Sequence, residues 1–322
     1  MQEIKTTVTH NIKRDSIITG FESLLFERDY NGNLWIGSWN QSPILYRIDG
    51  NQITRFEFPI GFYLASDNPF DSNSDHVLFG SSNSVLYFRD DRFFSLPSPK
   101  LANPSPYQIL NLVNYTYVIF ANTSGRKQIH RWNGTNWEIL NFDLDFQNLY
   151  NLKSIGNDRI LVTEGNSEVA YILDQNGKVI SEFTPSGAPM KAKINSKRIF
   201  LYSDSKLEVR NSDGELISLL DLYDEAMKAY FGSYLEFIDI FIQNESNLVL
   251  LLKERNKKPA KKHLLNFNLD TLTLTPHSLN EKLTADLNLL QFEIDNSGDY
   301  WFKIYGNHYS ESFITFNAEL TT

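Results

Sequence analysis

Cysteine is absent from the 322 residues, and histidine is scarce, with six copies. The lack of cysteine excludes disulfides, thiolate metal sites and cysteine nucleophiles. The histidines show neither H-x-x-x-H nor H-x-H spacing, so the sequence gives no support to an imidazole metal site. It also contains no G-x-S-x-G elbow and no phosphate-binding glycine loop. We therefore predict no catalytic residue, no metal site and no cofactor.

Long apolar runs are also missing. None approaches the roughly 20 residues that span a bilayer, and the N-terminal run "MQEIKTTVTHNIKRDS" has no apolar core of a secretory signal. We therefore expect a cytoplasmic protein without a membrane partner. The net charge of −9 disfavours attraction to nucleic-acid phosphates and favours a partner with a basic or neutral surface.

What the chain does contain is a repeating strand pattern. Aromatic residues make up 14% of the sequence, which is typical of a β-rich fold. Hairpins with Asp-Gly, Asn-Gly or related turns join alternating apolar strands, and an apolar strand precedes each hairpin. The seven hairpins occupy residues 45–56, 86–96, 129–140, 170–183, 207–220, 264–275 and 313–322.

The spacing of these hairpins predicts the fold. A further strand is visible in some units, as at residues 23–29 and 289–297, which gives about four strands per unit. Seven units in 322 residues average about 46 residues each, the size of a four-stranded propeller blade. We therefore predict an all-β, seven-bladed β-propeller forming a single domain over residues 1–322, with six or eight blades as alternatives.

One stretch resembles a known repeat. "DYNGNLWIGSW" followed by "ILYRIDGNQITRF" resembles the two-component-regulator propeller repeat, and "DNSGDYWFKIYG" at residues 295–306 is a degraded copy. The resemblance implies a β-propeller that serves as a sensor or interaction module, and it implies no catalytic residue. Members of that family are commonly extracytoplasmic and fused to a signalling kinase. The sequence shows neither feature, so we do not transfer the sensor role.

Three segments depart from the blade pattern. Residues 221–231 have helix-forming residues, with Tyr223, Met227 and Tyr230 at helical spacing, and predict one short helix. Residues 253–263 form a basic run that is either a solvated hairpin loop or a contact for an acidic partner. Residues 1–12 alternate like a strand, and they could pair with the last blade and close the ring.

Candidate binding residues lie in the loops between the second and third strands, which share one face of a propeller. Trp39 with Asn40 is the leading candidate, because exposed tryptophans are common binding hot spots. Its alternative is a tryptophan buried against a neighbouring blade, as we expect for Trp35. The predicted binding residues are Trp39, Asn40, Asn83, Asn122, Arg126, Glu164, Asn166, Asp204, Lys257, Lys258, Asn307, His308 and Tyr309.

These features favour a non-catalytic protein that acts through protein–protein interaction. A concrete hypothesis is a bacterial inhibitor or immunity protein whose acidic loops block the basic cleft of a toxin or enzyme. One alternative is a metal-dependent, lactonase-like hydrolase or lyase, with Glu164, Asp204 and Asn122 as oxygen ligands for calcium. Another is a carbohydrate or small-ligand site around Trp39 and Tyr309.

Overall fold

The computed structural model describes the chain with internal gaps. The described residues are 1–11, 23–38, 43–59, 70–72, 75–81, 84–101, 105–112, 114–121, 127–140, 149–156, 158–164, 169–187, 191–195, 197–283, 287–305 and 311–316. They form seven antiparallel sheets that follow one another along the chain. The protein is therefore a seven-bladed β-propeller with four-stranded blades, as the sequence predicted.

Each blade runs from an innermost to an outermost strand in chain order. Blade 1 has β3 (Ser23–Arg28), β4 (Leu34–Ser38), β5 (Ile44–Asp49) and β6 (Gln52–Glu57), and blade 2 has β7 (Phe70–Ser72), β8 (Val77–Gly80), β9 (Val85–Arg89) and β10 (Arg92–Ser95). Blade 3 has β11 (Ser105–Asn111), β12 (Thr116–Ala121), β13 (Lys127–Trp132) and β14 (Trp137–Ile139), and blade 4 has β15 (Leu149–Ile155), β16 (Arg159–Glu164), β17 (Ala170–Asp174) and β18 (Val179–Phe183).

The remaining blades follow the same order. Blade 5 has β19 (Lys191–Ile194), β20 (Arg198–Tyr202), β21 (Lys206–Asn211) and β22 (Leu216–Asp221), and blade 6 has β23 (Leu235–Ile242), β24 (Asn247–Glu254), β25 (Lys262–Asn268) and β26 (Thr273–Pro276). Blade 7 has three strands within the described residues, namely β27 (Leu289–Ile294), β28 (Tyr300–Tyr305) and β29 (Glu311–Phe316).

Two short N-terminal strands cover the outer edges of the first two blades. Strand β1 (Gln2–Ile4) pairs antiparallel with β10 of blade 2, and β2 (Thr7–Thr9) pairs antiparallel with β6 of blade 1. These strands therefore extend blades 1 and 2, and they do not pair with the last blade, the possibility that the sequence had suggested. Each added strand satisfies backbone groups along an edge that would otherwise be open.

Apolar side chains between neighbouring blades form the core. Within the described residues, one buried cluster lies at each of the seven blade junctions. At the junction of blades 1 and 2, the rings of Trp35 and Phe79 have centroids 5.0 Å apart, and Trp35 is fully buried, as predicted. The last junction joins blades 7 and 1, where Phe313 lies 5.1 Å from Phe26 and Trp301 is buried beside them.

The predicted helix is present but shorter than expected. Helix α1 (Glu225–Phe231) begins after Asp224, whose side chain accepts a hydrogen bond from the Ala226 N–H, and ends at Gly232 with a φ of 68°. It starts late because the fully buried Leu222 still hydrogen-bonds to Ser205 of blade 5. Tyr230 is exposed, and Phe231 contacts the core instead.

Candidate functional site

The innermost strands of the seven blades surround a central channel. A cavity of about 540 Å³ lies within it, and every innermost strand contributes a polar side chain to the lining. In β11 and β23 a bulge inserts one extra residue just before the polar one, which changes the direction in which the strand aims its side chains. In chain order, the seven lining residues are Glu27, Asp71, Gln108, Lys153, Lys193, Asp239 and Glu293.

Charge is not evenly distributed around this ring. The consecutive blades 6, 7, 1 and 2 contribute carboxylates, blade 3 contributes an amide, and blades 4 and 5 contribute lysines. The channel therefore has an acidic arc facing a basic arc. The acidic arc is Asp239, Glu293, Glu27 and Asp71, and the basic arc is Lys153 and Lys193, with Lys191 beside it on blade 5. Arg28 on blade 1 also lines the cavity, next to Glu27 in the chain.

Lys193 joins the two arcs where they meet. Its Nζ lies 3.3 Å from Asp239 Oδ1 and 3.3 Å from Glu293 Oε1. Asp239 is held in place by the Tyr202 hydroxyl, which donates to Oδ1 over 2.8 Å, and by the Phe292 N–H, which donates to Oδ2 over 3.2 Å. Because Asp239 and Glu293 are buried, this ion cluster has a fixed geometry.

Burial dominates the acid strengths in the channel. It raises the pKa of Glu293 to about 7 and the pKa of Asp71 to about 6, and it also raises the pKa of Glu27. Burial works to lower the pKa of Lys193, but the carboxylates of Asp239 and Glu293 outweigh it, so this pKa is raised. The lysine therefore stays charged, while parts of the acidic arc titrate close to neutrality.

The outer rim of blades 4 and 5 carries a second feature, an exposed apolar patch. It comprises Ile180 on β18 and Leu216, Ile217 and Leu219 on β22, which are 45–54% exposed. Both strands are bulged, and the extra residues are Ile180 and Ile217. We call these four residues the rim patch.

The rim patch has a firm support. The Ser181 hydroxyl donates to the Asp213 carbonyl oxygen over 2.8 Å, which ties β18 to the turn before β22. Arg159 adds an ion pair to the Asp213 carboxylate at 2.5 Å. Exposed carboxylates of Glu182 and Glu215 adjoin the patch in the sequence. The Ser181 and Arg159 contacts thus connect blades 4 and 5 next to the rim patch.

Most of the loop residues proposed from the sequence cannot be placed. Asp204 is exposed at the predicted loop face, and its carbonyl oxygen accepts from the Phe237 N–H. Lys257 and Lys258 are exposed in the basic run, and Lys257 Nζ lies 3.0 Å from Glu254 Oε2. Glu164 belongs to β16, and its side chain is not described. The others lie outside the described residues: Trp39, Asn40, Asn83, Asn122, Arg126, Asn166, Asn307, His308 and Tyr309.

Neighbouring carboxylates balance part of the basic run. Lys253 Nζ and Arg255 Nε lie 3.3 and 3.2 Å from the Glu236 carboxylate oxygens, and the Arg255 guanidinium also lies over the Tyr223 ring. In the described portion of the chain, no group of three or more His, Cys, Asp or Glu side chains could hold a metal ion. The described residues also include no helix long and apolar enough to cross a membrane.

The sequence analysis overlooked the channel residues, although a signal was present. In two innermost strands a charged residue interrupts an apolar run, as Asp239 does in "LEFIDIFI" and Glu293 does in "LLQFEI". Once a propeller is assumed, a charged residue inside the first strand of a blade points to the channel.

Comparisons with known proteins agree on the fold. No protein-family model and no curated protein sequence matches the chain. Among solved structures, a streptogramin B lyase aligns with a TM-score of 0.62 at 13% identity, covering 97% of this chain and 98% of that one. The WD40 domain of Neurospora crassa Pan2 aligns with a TM-score of 0.59 at 12% identity, covering 92% of this chain and 89% of that one.

A third similar structure comes from a bacterial signalling protein. The extracellular domain of the one component system BT4673 from B. thetaiotaomicron aligns with a TM-score of 0.54 at 14% identity. The alignment covers 94% of this chain and 40% of that one, so this chain corresponds to less than half of that domain. At these identities the likeness concerns the fold alone.

Proposed function

We propose that this propeller is a non-catalytic, protein-binding module and that the rim patch is its docking surface. The observation that carries the proposal is the exposure of Leu216, Ile217 and Leu219 on one edge strand. Edge strands of soluble proteins commonly place lysine or proline at such positions to discourage association. Clustered exposed apolar residues instead mark an interaction surface.

The local structure favours docking through side chains over addition of a strand. A bulge interrupts the regular spacing of backbone groups that an added strand would need, and β18 and β22 are both bulged. The outer edges of blades 1 and 2 are already covered, because β2 and β1 pair with the outer strands of these blades. The rim of blades 4 and 5 therefore offers apolar side chains on an edge that discourages β-aggregation.

Charge limits the kind of partner. The chain has a net charge of −9, and the exposed Glu182 and Glu215 are close to rim-patch residues in the sequence. A protein surface with apolar residues surrounded by lysine and arginine would complement it, and electrostatic attraction would speed association. In its narrowest form, the proposal is a cytoplasmic bacterial inhibitor or immunity protein that binds a basic toxin or enzyme.

The test compares two substitutions of similarly exposed side chains. Ile217→Lys changes the rim patch, whereas Leu272→Lys changes a residue that is 58% exposed at the β25–β26 turn of blade 6. Each should alter the free energy of unfolding by no more than about 0.5 kcal/mol, because both sites are exposed. A partner recovered from the native cell at a stoichiometric ratio should be identified and purified. Calorimetry then measures its binding to three proteins: the original protein and the two variants.

We expect Ile217→Lys to weaken binding at least about tenfold, Leu272→Lys to leave it unchanged, and added salt to weaken it. Equal binding by all three proteins would remove the rim patch from the proposal. Recovery of no stoichiometric partner would contradict the protein-binding role. Concentration-dependent dimers that are lost in Ile217→Lys would identify the patch as a self-association surface instead.

The narrow form of the proposal has tests of its own. Inhibition of the purified partner would test the inhibitor role, and cell fractionation would test the cytoplasmic location.

The alternative of a metal-dependent hydrolase or lyase is tested separately, by metal binding. Of its suggested ligands Glu164, Asp204 and Asn122, only the Asp204 side chain is described. A ligand that binds only the folded state raises the melting temperature. A rise with millimolar calcium or zinc would favour the metal-dependent alternative over the non-catalytic proposal.

A further inference from the structure

The central channel has the size and chemistry of a small-molecule site. Its cavity of about 540 Å³ falls within the range of ligand pockets, which is roughly 300–1,000 Å³. The lining combines carboxylates on blades 6, 7, 1 and 2 with lysines on blades 4 and 5. A ligand in this cavity would therefore meet opposite charges on opposite sides.

Lys193 neutralises only part of the acidic arc. It contacts Asp239 and Glu293 at 3.3 Å, so these two carboxylates share one cation within the wall of the channel. Glu27 differs, because no described residue forms an ion pair or side-chain hydrogen bond with its carboxylate, and Lys153, Lys193 and Lys303 lower its pKa only through longer-range attraction. Asp71 accepts a hydrogen bond of 2.5 Å from the Asn111 N–H. Glu27 and Asp71 are thus the carboxylates open to a cationic group.

Lys153 provides the opposite charge. It is exposed toward the cavity from β15 of blade 4, and no described carboxylate lies in ion-pair contact with it. Its attraction lowers the pKa values of Glu27 and Asp71, but burial outweighs that attraction and leaves both raised. The positive charge of Lys153 therefore compensates the negative charges of Glu27 and Asp71 only in part.

We propose that the channel binds a small zwitterion, with its ammonium group on Glu27 and Asp71 and its carboxylate on Lys153. Gln108 on blade 3 lies between these two ends of the ring, where its amide can donate to the carboxylate or accept from the ammonium. A free amino acid or an ω-amino acid has this charge pattern and fits the volume.

Other ligand classes match the lining less well. A compact metal ion needs converging oxygens, and the described residues hold no such group of three. An anion would be repelled by four carboxylates, whereas a cation without a negative group would leave Lys153 uncompensated. The zwitterion is the class that uses both arcs.

The experiment measures the melting temperature of the full chain with β-alanine, 4-aminobutanoate and 6-aminohexanoate, which separate the two charges by increasing lengths. Butylamine and butanoate, at the same millimolar concentrations, each supply one of the two charges. We expect at least one ω-amino acid to raise the melting temperature and the single-charge compounds to leave it unchanged. No rise with any ω-amino acid, or an equal rise with butylamine or butanoate, would overturn the proposal.

Calorimetry with the most stabilising ω-amino acid then assigns the residues. Glu27→Gln and Lys153→Gln should each weaken binding at least about tenfold, because each removes one charge partner from a shielded site. Glu27→Gln removes a charge that burial disfavours, so we expect this variant to remain folded. Lys197→Gln, at the exposed turn between β19 and β20, is the matched control and should bind like the original protein. Unchanged binding in both channel variants would overturn the assignment.

Discussion

Asp29 and Trp35 are joined by a hydrogen bond of 2.8 Å from the indole Nε1 to the carboxylate Oδ2. Asp295 and Trp301 in blade 7 form the same bond at the same 2.8 Å. In the first copy, the other oxygen of Asp29 accepts from the Asn33 N–H over 2.8 Å. The Asp-x-x-Gly-x-x-Trp motif thus links the turn between two strands to a tryptophan in the blade junction.

The aspartate of this motif should contribute more to the free energy of unfolding than an aspartate that only supports a turn. Asp29→Ala should lower the free energy of unfolding by about 3 kcal/mol, because buried donors lose their acceptor. Asp174→Ala is the matched control: its carboxylate supports the same kind of turn through the Lys178 N–H, and no tryptophan among the described residues bonds to it. That change should cost about 1 kcal/mol. Urea denaturation measures both, and equal losses would contradict the special role of the indole bond.

Lys193 should stabilise the folded protein by neutralising two buried carboxylates. Lys193→Met should lower the free energy of unfolding by about 3 to 5 kcal/mol at pH 8, since Asp239 and Glu293 lose their shared cation. Adding Glu293→Gln should recover part of this loss. Urea denaturation at pH 8 and pH 5 tests both statements, because the loss should shrink at pH 5, where Glu293, with its pKa of about 7, is protonated. A loss independent of pH would point to packing instead.

Asp71 should make the folded protein less stable as the pH rises. Its pKa is about 6 in the folded state and 3.8 without the protein environment, because burial outweighs the attraction of Lys153 and the Asn111 hydrogen bond, and Glu27 raises it further. Below 3.8 both states are protonated and no penalty exists. Between 3.8 and about 6 the unfolded state ionises first, so stability falls, and above 6 the penalty is complete.

The variant Asp71→Asn cannot ionise at this position and isolates the effect. Relative to it, the original protein should lose about 2 kcal/mol of unfolding free energy between pH 4 and pH 7. Urea denaturation of both proteins across this range gives the difference. A difference that stays constant, or changes in the opposite direction, would show that Asp71 is not the buried group described.

The N-terminal strands should protect the edges of blades 1 and 2. Deleting residues 1–9 should cost about 1 kcal/mol, mainly from Ile4, which contacts the core cluster between those blades. It should also produce concentration-dependent association, since β6 and β10 lose the strands that pair with them. Thermal unfolding and light scattering measure these effects. Val8→Ser should change neither, because Val8 is exposed.

The sequence predicted the blades because their strands carry local signals. Alternating apolar residues and turn residues mark each hairpin, so the seven-unit count and the position of Trp35 followed directly. The partners of the N-terminal strands were not predictable, since residues as exposed as Thr7 and Thr9 carry no pattern that selects blade 1 over blade 7.

The channel cluster was hidden for a different reason. Lys193 and Glu293 are 100 residues apart in the chain and meet only because the ring brings blades 5 and 7 to a common axis. No spacing rule of the kind used for motifs covers such a distance. Conversely, the exposed rim patch could not be inferred from "VISEF" and "LISLLD", because similar apolar runs are buried in other strands.

The junction between blades 7 and 1 has a consequence for how the chain folds. Six of the seven junctions join blades that are adjacent in the sequence, whereas this one brings Gln291 to Phe26 across 265 residues. Closing so long a loop costs conformational entropy before any stabilising contact forms to offset it. The buried Trp301 and the Phe26–Phe313 ring pair provide those stabilising contacts in one place. We therefore expect weakening this junction to slow folding more than an equal loss of stability at any other junction would.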